Sequence, residues 1–281
     1  MSGLWSAARD RLRLNPVART AFYLIVFVAL LSLVGPLLNP NHFDTLDWAH
    51  PATPPSVLHA HWFGTDRLGR DLFVRTLDGT RISLAIGLFA TAVSLLVGAL
   101  YGAIAGYAGG RLDRLMMRAV EILSGLPLIF FVIFLTVLFG HHALLLFLSI
   151  AAVGWLTTAR IVRGQTLSIR RQEFVEAAIA GGASSFRIIR KHVLPNVIGT
   201  VVVYATLTVP QMILYESFLS FLGLGVQEPH ASLGSLIADG AAEMEAAPWI
   251  LLIPGGLLAV LLLCFNLFGD GLRDALEPRE S

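Results

Sequence analysis

One cysteine, Cys264, and one lysine, Lys191, are all that this 281-residue chain contains of either type. A single cysteine excludes an internal disulfide framework and a cysteine-built zinc site. Lys191 stands between Arg190 and His192, so the Gly-Lys-Ser/Thr of a phosphate-binding loop is absent. If ATP drives this protein, another chain binds it. Charge is scarce too, at 14% of residues against about 25% in a soluble domain. The net charge of +1 makes no electrostatic case for nucleic acid. A 56% hydrophobic content excludes disorder. No Gly-x-Ser-x-Gly occurs, and no internal repeat is visible.

What the chain has instead is long uncharged runs. A membrane span needs about 20 mostly apolar residues. Ala21–Leu38 and Ile82–Gly110 qualify, and so do Val193–Leu222, interrupted by Glu216 alone, and Ala246–Gly269. Ile122–Ala159 carries no charge and, at about 1.5 Å per residue, is nearly twice the length the bilayer core requires. Gly140-His141-His142 at its middle reads as a turn, so it divides into two spans. The expectation is an all-α polytopic membrane protein with six transmembrane helices, since segments this long cross lipid only as helices. The first run lacks a clear small-x-small cleavage site and reads as an uncleaved anchor.

Arginine counts orient the chain. Sixteen of its twenty basic residues fall before span one, between spans two and three, between spans four and five, or in the tail. These segments are read as cytoplasmic, with both termini inside. Residues 223–247 carry no basic residue but hold Glu228, Asp239, Glu243 and Glu245. The four exceptions, Arg67, Arg70, Arg75 and Arg81, alternate with Asp66, Asp71 and Asp78 and read as locally balanced charges of an outer loop. The divisions are then a cytoplasmic segment 1–20, a first span 21–38, an extracytoplasmic loop 39–81, a multi-span unit 82–271 and a cytoplasmic tail 272–281.

Within the spans, Gly98, Gly102, Gly106 and Gly110 repeat every fourth residue. That places them on one helix face, where a neighbouring backbone approaches closely. Packing is the favoured reading and a passage lining the alternative. Glu216 is an intramembrane acid and so a functional candidate; a buried hydrogen-bonded carboxyl or a mouth residue is preferred to a proton-coupling group, and Asn266 is read the same way. Pro127 and Pro210 mark bends. His59-x-His61 and His141-His142 raise a metal site, but no cysteine or carboxylate stands beside them at ligand spacing, so polar loop residues are favoured.

The longest inner segment, Arg160 to His192, is not loop-like. Glu173–Ala180 is rich in helix formers, and Gly181-Gly182 stops it. Ser184 or Ser185 caps a second helix, Phe186–Leu194, that ends before Pro195. Phe174, Ile179, Phe186, Ile188 and Ile189 would be exposed there unless a partner covers them. The spacing Glu176-Ala177-Ala178, Gly182, Leu194-Pro195 resembles the EAA signature of ABC importer permeases, with His192 where the general pattern has isoleucine. Stretches 63–71, 190–196, 219–225, 247–249 and 266–274 are similar to the dipeptide/oligopeptide branch, C-type subunit. The resemblance spans about residues 60 to 278.

The resemblance implies an ABC type I importer transmembrane fold and half of a pore for di- or oligopeptides. It implies a second permease subunit, an extracytoplasmic peptide-binding protein, and two ATPase subunits that grip the 173–195 coupling loops. ATP and Mg would sit on those ATPases, with no cofactor on this chain, which would lie in a bacterial inner membrane. Two competing classes are an intramembrane serine protease and a proton-coupled secondary transporter using Glu216. Membrane lipid is a simpler partner for the inner arginines, each worth about 1 kcal/mol near an anionic surface.

Overall fold

The computed structural model describes residues 10–57, 61–139 and 143–276. Among these no β-strand forms; the backbone groups that lipid would leave unpaired are satisfied within helices. In chain order the helices are α1 Pro16–Leu38, α2 Leu72–Ala108, α3 Gly110–Ser124, α4 Leu128–Phe139, α5 Ala143–Ile169, α6 Glu173–Ala180 and α7 Ser185–Ile188. After a π turn, Ile189–Val193, come α8 Leu194–Phe221, α9 Leu233–Ala242 and α10 Trp249–Leu276. α1, α2, α5, α8 and α10 each contain a stretch long and apolar enough to cross a membrane.

The sixth span, the one expected from Ile122 onward, is bent where Pro127 was expected to bend it, and sharply enough to break the helix. Gly110–Ser124 and Ile129–Leu135 qualify only as a pair, bent by 85°. The helix stops at Gly125, and Pro127, which cannot continue an N–H ladder, stands at the bend. Pro210 behaves differently: α8 runs unbroken through it. The turn expected at Gly140-His141-His142 and the residue His59 lie outside the described residues.

Two further boundaries move. α2 begins at Leu72, ahead of the apolar run at Ile82, because the Asp71 carboxylate caps it by accepting the Val74 N–H at 3.0 Å. Its first turns carry Arg75 and Asp78 yet are buried. Likewise α5 extends past Ala159 to Ile169, so Arg160 and Arg163 are helical and not part of a loop.

α2 and α5 pack most intimately. A Cβ on Gly98 would meet Thr158 Cβ at 2.6 Å, and one on Gly106 would meet the Arg163 carbonyl at 2.8 Å; one on Gly102 would strike the Ala159 carbonyl. Partners advance along both helices together, so α2 and α5 run parallel. In this structure the stripe is a packing seam. It has three members: Gly110 lies beyond the end of α2 and opens α3. In lipid there is little hydrophobic force between helices, and small residues that allow close dispersion contact take its place.

The other spans build outward from this pair. Leu84 of α2 joins Val209 and Ile213 of α8 and Leu258, Leu261 and Phe265 of α10 in one core, which Val28 of α1 completes. α1 buries Ala18, Ala21, Val28, Ser32 and Gly35, one face at helical spacing, with Ile25, Ala29 and Leu31 packed beside them, while Phe27, Leu30 and Leu33 point outward. Gly271 of α10 abuts Ala18, and Gly35 abuts Leu77. The start of α1 and the ends of α2, α5 and α10 therefore share one end of the bundle.

Candidate functional site

That shared end carries the segment from Gln172 to Val193. α6 occupies Glu173–Ala180, the helix expected there, with Glu173 and Glu176 in its first turn, where carboxylates favour the dipole. It closes in a two-bond C-terminal motif. The Gly182 N–H donates to the Ile179 carbonyl at 2.9 Å, and the Ala183 N–H donates to Ala178 at 3.0 Å. That pattern requires a left-handed residue, and Gly182 has φ +77°.

The second helix departs from expectation. Ser184 sits at the cap position, but its side chain makes no capping hydrogen bond. Nor does the helix end before Pro195. It passes through the π turn, where the Leu194 N–H reaches back to the Ile189 carbonyl, directly into α8. Proline has no N–H to give, and a π turn is one way a helix absorbs that loss. The 185–221 helix is thus continuous from this segment into the membrane.

Roots and exposed face can now be separated. Val175, Ile188 and Val193 are buried against Ala103 of α2 and Val162 of α5, so Ile188 is not exposed as expected, and Ile189 is only partly so. Phe174 (44% exposed), Ile179 (47%) and Phe186 (72%) remain open, flanked by exposed Glu176, Arg187, Arg190 and Lys191. Ala177 and Gly182 lie on the exposed side, with Ala178, Leu194 and Pro195 partly covered. His192, the departure from the signature, places its ring 6.0 Å from that of Phe174.

Sequence reasoning missed the brace beneath this segment. Arg163 Nε and Nη2 each donate at 2.6 Å to the two oxygens of Asp113. This bidentate pair fastens α3 to α5 beside the glycine seam. No short-range signal joins residues so far apart.

Glu216 is fully buried. Ser83 Oγ of α2 donates to one of its oxygens at 2.7 Å, and Ser220 Oγ donates to the other at 2.7 Å. Ser83 in turn accepts the Leu233 N–H that opens α9. The carboxyl therefore joins α2, α8 and α9. We expect Glu216→Leu to orphan two buried hydroxyls, costing about 1–3 kcal/mol each, and Glu216→Gln to cost much less. Thermal unfolding of the solubilised variants checks this; equal losses would remove the bracing role. Asn266, by contrast, is exposed on α10.

Between α5 and α8 lies a cavity of about 180 Å³ lined by Thr157, Tyr204, Thr208, Gln211 and Tyr215. Its polar groups are hydroxyls and an amide without charge, a feature no sequence motif announced. At the opposite end of the bundle, two of the arginines read as locally balanced are paired: Arg70 Nε donates to Asp66 at 2.6 Å and Arg70 Nη1 to Glu228 at 2.9 Å, while Arg81 pairs with Asp78; buried Arg75 only approaches Asp66, with its Nε 3.5 Å from Oδ2. His61 is not a solvated loop residue; it is buried, with Nδ1 2.8 Å from Asp71 Oδ2.

Comparison with known proteins places this geometry. Residues 98–281 match the family described as binding-protein-dependent transport system inner membrane component, and residues 3–55 match the N-terminal TM domain of oligopeptide transport permease C. The oligopeptide transport system permease protein OppC of Escherichia coli (strain K12) is 52% identical, over 99% of this chain and 92% of its own length. That of Haemophilus influenzae is 50% identical, over 99% and 89%. The dipeptide transport system permease protein DppC of Bacillus subtilis is 44% identical, over 96% and 84%. A structure of the MetNI methionine ABC transporter in an inward-facing conformation shares the fold, with a TM-score of 0.58 at 20% identity over 74% of this chain and 97% of that one. The secondary-transporter reading of Glu216 gains nothing from these relatives. The chain belongs to the binding-protein-dependent inner membrane component family and is a multi-pass ABC importer permease subunit of the dipeptide/oligopeptide branch.

Proposed function

We propose that this chain forms half of the pore of an ATP-driven peptide importer and receives force through residues 173–195. The single observation that carries this reading is the open trio Phe174, Ile179 and Phe186 on a segment whose Val175, Ile188 and Val193 are buried as roots. Lipid binding accounts for the flanking arginines but not for a glycine-set turn. An ATPase subunit would cover the trio, with ATP and Mg held on that partner and no cofactor on this chain. A second permease chain completes the pore, and an extracytoplasmic binding protein delivers di- or oligopeptides, as the relatives' names suggest.

The π turn supports a path for the motion. Because α7 continues into α8, a push on the docking segment is applied to the helix that carries Tyr204, Thr208, Gln211 and Tyr215. The uncharged cavity there suits peptide amides of varied sequence, since hydroxyls and a carboxamide pair with backbone groups in either sense. No covalent step falls on this chain. The basic residues clustered at the docking end support a bacterial inner membrane orientation with both termini cytoplasmic.

We expect an ATPase subunit to co-purify with the chain and ATP-dependent peptide uptake to survive collapse of the proton gradient. Phe186→Glu is expected to lower ATPase recovery about tenfold or more, as loss of a central apolar anchor does, while leaving the chain in the membrane. A reporter active only outside the inner membrane should stay silent at the C-terminus and work at Gly234. Full ATPase recovery with Phe186→Glu would reject the docking face, and the reverse reporter pattern would invert the topology.

A further inference from the structure

Away from the docking end, the connection after α1 folds back onto the start of α2. Asp47, His50 and His61 each present a ligand atom there, and these atoms all lie within 4.8 Å of one another. His61 is the fixed member. It is buried, and its Nδ1 stands 2.8 Å from Oδ2 of Asp71, whose other oxygen caps α2. A carboxylate only accepts, so Nδ1 carries the proton and donates. Nε2 then faces Asp47 Oδ2 at 3.7 Å. That gap is too long for a hydrogen bond. It is close to the roughly 3.4 Å between two ligands of one tetrahedral ion with bonds of about 2.0–2.1 Å.

His50 closes the third side. Its Nδ1 lies 2.9 Å from the same Asp47 oxygen, and that hydrogen bond holds the Asp47 carboxyl below its ordinary range. The backbone around the cluster is pinned independently. Thr65 Oγ1 donates to the His50 carbonyl at 2.6 Å, Asp47 Oδ1 accepts the Ala49 N–H at 3.0 Å, and a Cβ on Gly69 would strike the Asp47 backbone.

We propose that Asp47, His50 and His61 form a binding site for a divalent transition-metal ion of the Zn²⁺ class, with Asp71 as the outer carboxylate that orients His61. Two imidazoles and one carboxylate suit Zn²⁺ and its neighbours; Ca²⁺ and Mg²⁺ take oxygen ligands. A carboxylate on the far nitrogen of a ligating histidine is the usual second support of such a site. Among the described residues the site offers three protein ligands, the number of a zinc site that keeps a fourth position for another ligand. The ion would clip residues 47–50 to His61 and, through the His61–Asp71 bond, to the cap of α2, and its uptake would release the proton between His50 and Asp47.

The test uses the full-length chain in lipid nanodiscs, purified by a tag without histidine and stripped with a chelator. Zn²⁺ is titrated against a chromophoric competitor, and Co²⁺ serves as the spectroscopic probe. We expect about one Zn²⁺ per chain and visible ligand-field bands with Co²⁺. Asp47→Ala and His50→Ala remove partly exposed side chains and leave no buried cavity; each should weaken binding at least about tenfold. Asp71→Asn keeps a capping oxygen for α2 and should weaken binding about 10–100-fold. A merely structural His61–Asp71 bond would not move the Co²⁺ spectrum. Failure of the unaltered chain to take up stoichiometric Zn²⁺ overturns the proposal, as does an Asp47→Ala, His50→Ala double variant that binds as tightly as the original.

Discussion

Gly102→Leu is expected to keep the chain from accumulating as a folded membrane protein. The α-carbon of Gly102 faces the Ala159 carbonyl and the Arg163 amide of α5, leaving no space for even a methyl group. Any side chain there must push α2 and α5 apart along the seam that also carries Gly98 and Gly106. Overpacking of this kind costs about 1–3 kcal/mol at a yielding site. Here the obstruction is helix backbone, which does not yield like a side chain. The separation would also reach the Arg163–Asp113 pair, whose 2.6 Å hydrogen bonds depend on the same register. Gly164 supplies the control. It lies on α5 with nothing near its would-be Cβ, so Gly164→Ala should be neutral or stabilise by up to about 1 kcal/mol through helix propensity. Quantitative blotting of membranes and thermal unfolding in detergent measure both. Normal levels and stability of Gly102→Leu would mean that the two helices are not seated as described.

Gly182→Val is expected to leave the chain in the membrane but to cut peptide uptake about tenfold. Nothing lies within 4 Å of a Cβ at this position, so the effect comes from the backbone. A φ of +77° is open to glycine and costs a residue with a β-carbon roughly 1–2 kcal/mol. A shift of 1.4 kcal/mol is about tenfold in a population. Release of that strain breaks the Gly182–Ile179 and Ala183–Ala178 hydrogen bonds and turns α7 away from α6, separating Phe186 from Phe174 and Ile179. Because the roots Val175, Ile188 and Val193 are buried below the turn, the bundle itself should persist. Gly182→Asn, which tolerates the left-handed region, should recover much of the uptake. Glutamine in place of the flanking arginines should reduce docking less than the valine does. The measurements are ATPase co-purification and peptide uptake in reconstituted vesicles. Full uptake with Gly182→Val would sink the claim that this turn transmits force.

Legibility followed distance along the chain. α6 stands where the residues place it because every determinant is local: helix formers, two first-turn acids and a glycine pair within eleven positions, Glu173 to Ala183. The spans were legible for a related reason, since lipid imposes a length that a single uncharged run either meets or does not. The glycine stripe announced a close contact by its period, though its partner helix could not be named. Ser184 looked like a cap from its residue type, but its side chain makes no capping hydrogen bond, because capping depends on a rotamer that type does not specify.

The sequence by itself determined a polytopic helical bundle, the side of it that carries the arginines, and the helix-turn segment at 173–183. Run length, composition and turn chemistry act over a few residues and need no knowledge of neighbours. Only the tertiary structure decided that α2 starts in a charged stretch at Leu72, because its buried first turns are balanced by Asp66, Glu228 and the Asp71 cap. It alone decided that α7 flows through a π turn into α8, that Asp113 receives Arg163, and that His61 stands between Asp71 and Asp47. Three of the side-chain pairs behind this are far apart along the chain: His61 and Asp71 by 10 positions, Arg163 and Asp113 by 50, Arg70 and Glu228 by 158. A buried charge must be paired wherever the chain happens to pass, and where it passes is set by packing.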